Sequence, residues 1–427
     1  MPSSKSSAMR RRAAIVVVAL SVLGAAACSS GGSSGTAASG SSSSGGSTTS
    51  ASGDVLGPVK QATGTPVVVG AISDGQYTGG DQTIELQVAD ATTKYINEHV
   101  GGIAGRPMQL VTCVTNGDPA KATDCANQMV AKGVVAVLIG QTQVQTDISS
   151  VLVAAKIPTI FAASGTPAIT DEPTATFVFA DSRAADVPLK IALDAGKKKV
   201  TVVIVDIPVA LDTFNGAEEE YKAKGVDLAF VKAPLGIADM TPQIQEAMAS
   251  DPGVFYILGN DAFCIAGLQA MNSLGYSGPI GMISQCLTDA TRQAIPASQL
   301  EGITLPAAFP VGVDDESTEL YRAVVAKYGT GIDTSVIAGP AEFSVVAGFA
   351  QALAGLTGDV TPASVNATIR AMPDMELVGG GGLHFRCNGK AVPDDVATCV
   401  RGTLISSLDA EGKPSAFKPT STSPIEG

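Results

Sequence analysis

Few side chains in this sequence could do covalent chemistry. His99 and His384 are the only histidines, and no G-x-S-x-G, H-E-x-x-H or Walker pattern occurs. Forty acidic residues leave a carboxylate pair open by number alone, so an exported hydrolase stands as a second alternative reading. The expectation is no enzyme, no catalytic residue and no cofactor. The cysteines say more. With Cys28 set aside, Cys113, Cys125, Cys264, Cys286, Cys387 and Cys399 form an even set, as disulfides in an exported chain would require. Six thiols allow fifteen connectivities. Nearness along the chain favours Cys113–Cys125, Cys264–Cys286 and Cys387–Cys399, each closing a loop worth roughly 3 kcal/mol. A metal site would need close spacing such as C-x-x-C with His beside it; neither occurs, and none is expected.

Cys28 belongs to a different context. Lys5, Arg10, Arg11 and Arg12 precede an apolar run over 13–27 that is short for a membrane span but right for the core of an export signal. Residues 29–53 consist only of Ser, Gly, Ala and Thr, a composition with too little apolar surface to fold. The pattern resembles a bacterial lipoprotein signal, in which the Cys thiol takes a diacylglyceryl group and becomes the new N-terminus. That resemblance implies a signal peptide over 1–27, a lipidated Cys28 with a disordered tether over 28–65, and a place on the outer face of the bacterial cell membrane. Two or more acyl chains hold a protein firmly where one does not.

The formal charge is −13, and removal of a leader with four positive charges and no acid makes it more negative still. Such a chain repels nucleic acid. Membrane contact must then come from lipid. The remaining length suggests two lobes rather than one core. From Pro66 onward, β-branched runs alternate with Ala-rich segments of helical length, which predicts an α/β fold with mainly parallel strands. Strands are expected at 67–72, 108–113, 134–139 and 159–162, then at 200–205, 227–231, 254–258, 280–283 and 303–305. The series runs twice. Continuous apolar character, as at 200–205, fits strands covered on both faces.

The segment Tyr95-Ile-Asn-Glu-His-Val-Gly-Gly-Ile-Ala-Gly-Arg-Pro107, followed by a strand and Asp118-Pro119, resembles the substrate-binding proteins of branched-chain amino acid ABC importers. Further matches are Val134-Val-Ala-Val-Leu-Ile-Gly140, Ile157-Pro-Thr-Ile160 and Gly275-Tyr-Ser-Gly278. The resemblance implies the type I periplasmic-binding-protein fold: two Rossmann-like lobes joined by three hinge crossings, closing on a small-molecule ligand. It divides the chain into a first lobe of 66–182 with 308–375, a second of 183–307 with 376–412, and a C-terminal tail over 413–427. Crossings are expected near 181–183, 307–310 and 373–380. The implied partners are the ligand and an ABC importer permease, with the protein a monomer. A ligand sensor that presents its closed form to a membrane receptor would use the same fold and is the first alternative.

Ligands of open parallel sheets sit beyond the carboxyl ends of the strands. The loops 73–80, 141–146, 162–166, 206–213, 259–263 and 284–285 are therefore expected at the cleft. They supply the candidate ligand-binding residues Tyr77, Gln141, Gln143, Val144, Ala163, Ser164, Gly165, Thr166, Asp206, Asn260, Asp261 and Gln285. In the family, a Ser and a Thr bind the ligand carboxylate and an acid pairs with its ammonium. The matching positions here are Val144 or Gln143, Gly165 and Gln285, and the lining aromatic corresponds to Asn260 or Asp261. A zwitterion would lose its charge-assisted bonds in such a cleft. The expected ligand is a small polar molecule without a full zwitterion, not a standard branched-chain amino acid.

Overall fold

The computed structural model describes residues 55–77, 80–163, 176–180, 185–207, 210–211, 213–214, 216–311, 313, 316–334, 336–392 and 395–427. Two sheets follow one rule of assembly. In the first, strand Val67–Ser73 lies between Met108–Val114 and Val137–Ile139, with Thr159–Phe161 and Thr176–Val178 beyond, all parallel. In the second, Lys199–Val205 lies between Asp227–Ala233 and Val254–Leu258, with Ile280–Met282 and Thr304–Ala307 beyond, again parallel. In both, the second strand in the chain flanks the first on one side and the third flanks it on the other. The point where strand order reverses is where this class of sheet holds ligands.

The inner strands are buried on both faces because helices cover each side. Val69, Leu138, Ile160 and Phe177 join one core of the first lobe, while Val137, Ile139, Phe161 and Val178 join the core on the opposite face. Val200, Val202, Val203 and Ile204 lie in the single large core of the second lobe. On the edge strand Met108–Val114 only Met108 is fully buried, and the other positions are half-buried or exposed. Local chemistry sets several boundaries. The Asp118 side chain accepts the Lys121 N–H at 2.9 Å and Pro119 opens the helix Pro119–Ala131. At Gly102, a Cβ would come within 2.0 Å of the Arg106 carbonyl oxygen, so the Gly-Gly pair after Val100 is required by close backbone approach.

Each of the nine expected strands coincides wholly or partly with an observed one. The expected strand over 134–139 shortens to Val137–Ile139, and the three-residue strand Thr176–Val178 was too short to stand out in the sequence. Three bonds, Cys113–Cys125, Cys264–Cys286 and Cys387–Cys399, have Cα separations of 5.6, 5.5 and 4.3 Å. Among the described residues, no helix is long and apolar enough to cross a membrane.

Three details of the expected division differ. Residues 55–65, assigned to the tether, lie along the helix end beneath them: Lys60 and Ala62 donate backbone N–H groups to Glu98 and Asn97, each at 2.7 Å, and Ala62 is buried. The segment 383–400, assigned to the second lobe, packs into the first, where Phe385, Cys387, Cys399 and Val400 share a core with Val67 and Phe179. Apolar burial decides this, since Phe385 stacks edge-on against Phe179 at 4.6 Å between ring centroids. The expected crossing at 373–380 is instead a hairpin. Met375–Glu376 pairs with His384–Phe385, and Leu377 N–H donates to the Leu383 carbonyl across the glycine-rich turn. The chain returns to the second sheet only at Leu404–Ser407, antiparallel to Thr304–Ala307. The expected crossing at 181–183 lies outside the described residues.

Candidate functional site

Strand Val67–Ser73 and strand Val137–Ile139 end side by side at the reversal point of the first sheet. Beyond them lie Asp74 and the loop beginning at Gly140. Asp74 is fully buried, and its carboxylate accepts three donors: the hydroxyl groups of Thr115 and Thr142, the latter at 2.7 Å, and the Gln143 backbone N–H at 2.8 Å. Glu85 projects from the helix Thr83–Tyr95 toward the same loop. Its Oε2 accepts the Ser73 hydroxyl and its Oε1 accepts the Gln141 backbone N–H, both at 2.6 Å. The Gln82 amide donates to Gln141 Oε1 at 3.3 Å. Two buried acids thus hold the loop by its backbone.

Burial pushes the Glu85 carboxyl up to about 8, with the nearby Asp74 charge adding to the rise and the bonds from Ser73 and Gln141 opposing it. Behind it stands Glu342, on the almost wholly apolar helix Ala338–Ala352 and 1% exposed. Burial first, and the Glu85 charge second, raise its carboxyl well above the ordinary range. Its Oε2 has no hydrogen-bond partner. A Cβ at Gly140 would lie 2.3 Å from Glu85 Oε1 and 2.7 Å from Glu342 Oε2, so both acids crowd one point that only glycine leaves free.

The second sheet has its own edge at the matching reversal point, where Lys199–Val205 and Val254–Leu258 end together. Asn260 caps the helix Asp261–Ser273, its side-chain oxygen accepting the Phe263 N–H at 3.0 Å. Asp261 accepts the Ala262 N–H at 2.8 Å and the Thr288 hydroxyl at 3.1 Å. Gln285 lies exposed on the short 3-10 turn Ser284–Cys286. The Cys264–Cys286 bond joins that turn to the helix, so Asp261 and Gln285 sit on two segments held together covalently. Asp206 is exposed directly after Val205, and its N–H donates to the Ala233 carbonyl at 2.9 Å.

The candidate residues therefore fall into two groups, one at each sheet's carboxyl edge. Gln141 is half-buried and Gln143 exposed. Val144 differs from expectation: it is 4% exposed and turned into the first-lobe core with Ile139 and Ile148, where an apolar side chain gains most from burial. The Tyr77 ring is half-buried, close beneath Gly117 and Gly80. The Ala163 carbonyl accepts the Gln145 amide at 2.8 Å. Ser164, Gly165, Thr166 and Cys28 lie outside the described residues. Sequence reasoning missed Asp74, Glu85, Thr115, Thr142 and Glu342. A signal existed for the glutamates. Glu85 shares the buried stripe of its helix with Val88, Ala89 and Thr92, and Glu342 interrupts an apolar helix.

A profile of the family described as periplasmic binding protein matches residues 44–400. The chain belongs to this family. Its architecture is the two-lobed, hinge-connected α/β fold of type I periplasmic binding proteins. A putative branched-chain amino acid ABC transporter protein from Rhodospirillum rubrum is similar in structure, with a TM-score of 0.70 at 18% identity, covering 83% of this chain and 100% of that one. Another, from Silicibacter pomeroyi, gives 0.67 at 16% identity over 82% and 95% of the two chains. A substrate-binding protein from Desulfitobacterium hafniense in complex with Leu gives 0.62 at 18% identity over 83% and 100%. At these identities the likeness is one of fold. No curated protein matches this periplasmic binding protein.

Proposed function

We propose that this protein is a lipoprotein, anchored through Cys28 on the outer face of the bacterial cell membrane, that captures a neutral or cationic polar molecule and delivers it to an ABC importer. One observation carries the choice of ligand class. The six loops 73–80, 141–146, 162–166, 206–213, 259–263 and 284–285 contain no Lys, Arg or His, while amides, hydroxyls and the acids Asp74, Asp206, Asp212 and Asp261 recur among them. In the family a Ser and a Thr supply donors to the carboxylate of a free amino acid, the matching positions here are Val144 or Gln143 and Gly165, and a desolvated anion that loses such donors without a basic residue in their place binds poorly. Gln141, Gln143 and Gln285 offer both donor and acceptor atoms to amides and hydroxyls, and Asp261 adds an acceptor for a cation.

A thermal-shift screen across amino acids, amides, sugars, polyamines and aromatic acids tests this reading. Amides, polyols or amines should raise the melting temperature, and Gln285→Ala should weaken the effect. Micromolar binding of leucine that Gln285→Ala abolishes would restore the family's amino-acid ligand instead. For the anchor, Cys28→Ala should release the protein from membranes; wild-type protein found wholly in culture supernatant with an unacylated mass would remove that part.

A further inference from the structure

Glu85 and Glu342 approach each other from two different helices at the base of the loop that the proposed function assigns to the ligand, and the inference rests on that reading. The helices Thr83–Tyr95 and Ala338–Ala352 pack together, and both carboxyl groups are shut off from solvent. Glu85 has used both oxygens as acceptors, from Ser73 and from the Gln141 N–H, as an ionised carboxylate would. Glu342 is nine-tenths buried and more, has no partner on Oε2, and turns that oxygen toward the same point above Gly140 as Glu85 Oε1. Two ionised carboxylates cannot share a dry site at this spacing without a compensating charge, and among the described residues no Lys, Arg or His is seen to reach it.

Asp74, at the end of Val67–Ser73, is an acid already satisfied by three donors. From the helix Glu316–Tyr328, the Tyr321 hydroxyl lies near Gly339 at the start of the Glu342 helix. The strands Met108–Val114, Val137–Ile139 and Thr159–Phe161 bring no titrating side chain. Tyr95 ends the Glu85 helix, and Glu98 and His99 lie beyond it in the turn Ile96–Val100.

We propose that Glu85 and Glu342 are positioning residues for the ligand loop, with one proton held between them, so that the geometry of Gln141 depends on proton occupancy at the pair. Protonated Glu342 leaves Glu85 free to accept the Gln141 N–H. Loss of the proton sets two charges against each other and drives the helices or the loop apart. Ligand binding is then coupled to pH through a site the ligand does not touch.

The test needs no ligand, so its outcome is separate from the success or failure of the ligand screen. In the full chain, the protection of the Gln141 amide against hydrogen exchange is followed by NMR from pH 6 to 9.5, after correction for intrinsic exchange. Wild-type protection should fall by up to about tenfold per pH unit once the pair releases its proton. Glu342→Gln, which keeps the shape and can donate to Glu85, should hold that protection level across the range. Glu342→Ala should lose it at every pH, and Glu85→Gln should lose the pH dependence. Equal pH profiles for wild type and Glu342→Gln would overturn the proposal. So would protection in wild type that rises with added sodium or calcium at constant pH, because a metal cation would then occupy the place of the proton.

Discussion

At the cleft edge of the first lobe, the backbone N–H groups of Gln141 and Gln143 end on the buried carboxylates of Glu85 and Asp74. At the matching edge of the second lobe, the Cys264–Cys286 bond and the Asn260 cap do the holding. The five parallel strands of each sheet run in the same order, so the difference lies in what was built onto one plan. Buried acids give a precise but titratable support, whose worth depends on proton occupancy. A disulfide is indifferent to pH and works by restricting the unfolded chain. The first edge should therefore answer to protons and the second to reductant.

Asp74→Ala is the strongest way to break this comparison. It strands two hydroxyls and one N–H in a buried place, and a loss of roughly 3–5 kcal/mol is expected in urea unfolding. A loss below 1 kcal/mol would mean that the loop holds without its acid. Replacing Cys264 and Cys286 together by Ser should cost about 3 kcal/mol, with no change in how the first edge responds to pH. Altered pH dependence in that double variant would show that the two edges are not independent.

The pH dependence itself has a defined sign. Glu85 is raised from 4.5 to about 8, so the proton that it shares with Glu342 favours the folded state, and that stability is complete below 4.5 and lost as pH rises through about 8. The slope is at most about 1.4 kcal/mol per pH unit for one proton. Denaturation midpoints measured from pH 5 to 9 should fall in wild type more steeply than in Glu85→Gln; identical slopes would remove the titratable support. Asn260→Ala, a lost helix cap, should cost about 1 kcal/mol. Gln285→Ala, an exposed change, should stay within about 0.5 kcal/mol of wild type while weakening any ligand found by thermal shift. A large loss of stability there would reassign Gln285 from ligand contact to structural support.

Much of this architecture was legible in the residues. The apolar runs at 67–72 and 200–205 are strands because their β-branched side chains fill cores on both faces, and the repeat of strand and helix announces two sheets. The Asn260 cap follows a rule that needs no tertiary information. Val144 shows where such reading stops. A position aligned with a ligand contact turned inward, because a side chain at a loop end chooses between cleft and core according to neighbours distant in sequence. The glycines at 379–382 suggested a crossing, yet Leu377 and Leu383 close a hairpin around them, and Phe385 then finds its core in the first lobe.

Composition and local spacing were enough to establish an α/β chain of two similar halves, and to raise the expectations of an export leader, a tether and cleft loops free of basic residues. These are properties of short windows, where periodicity, caps and charge act over a few residues. Tertiary structure decided that Glu85, Glu342 and Gly140 meet, that Asp74 gathers Thr115, Thr142 and Gln143, and that 383–400 joins the first lobe. Glu85 and Glu342 are more than two hundred and fifty positions apart. No local rule brings two acids together; the packing of their helices does, and burial then makes the charge of each depend on the other.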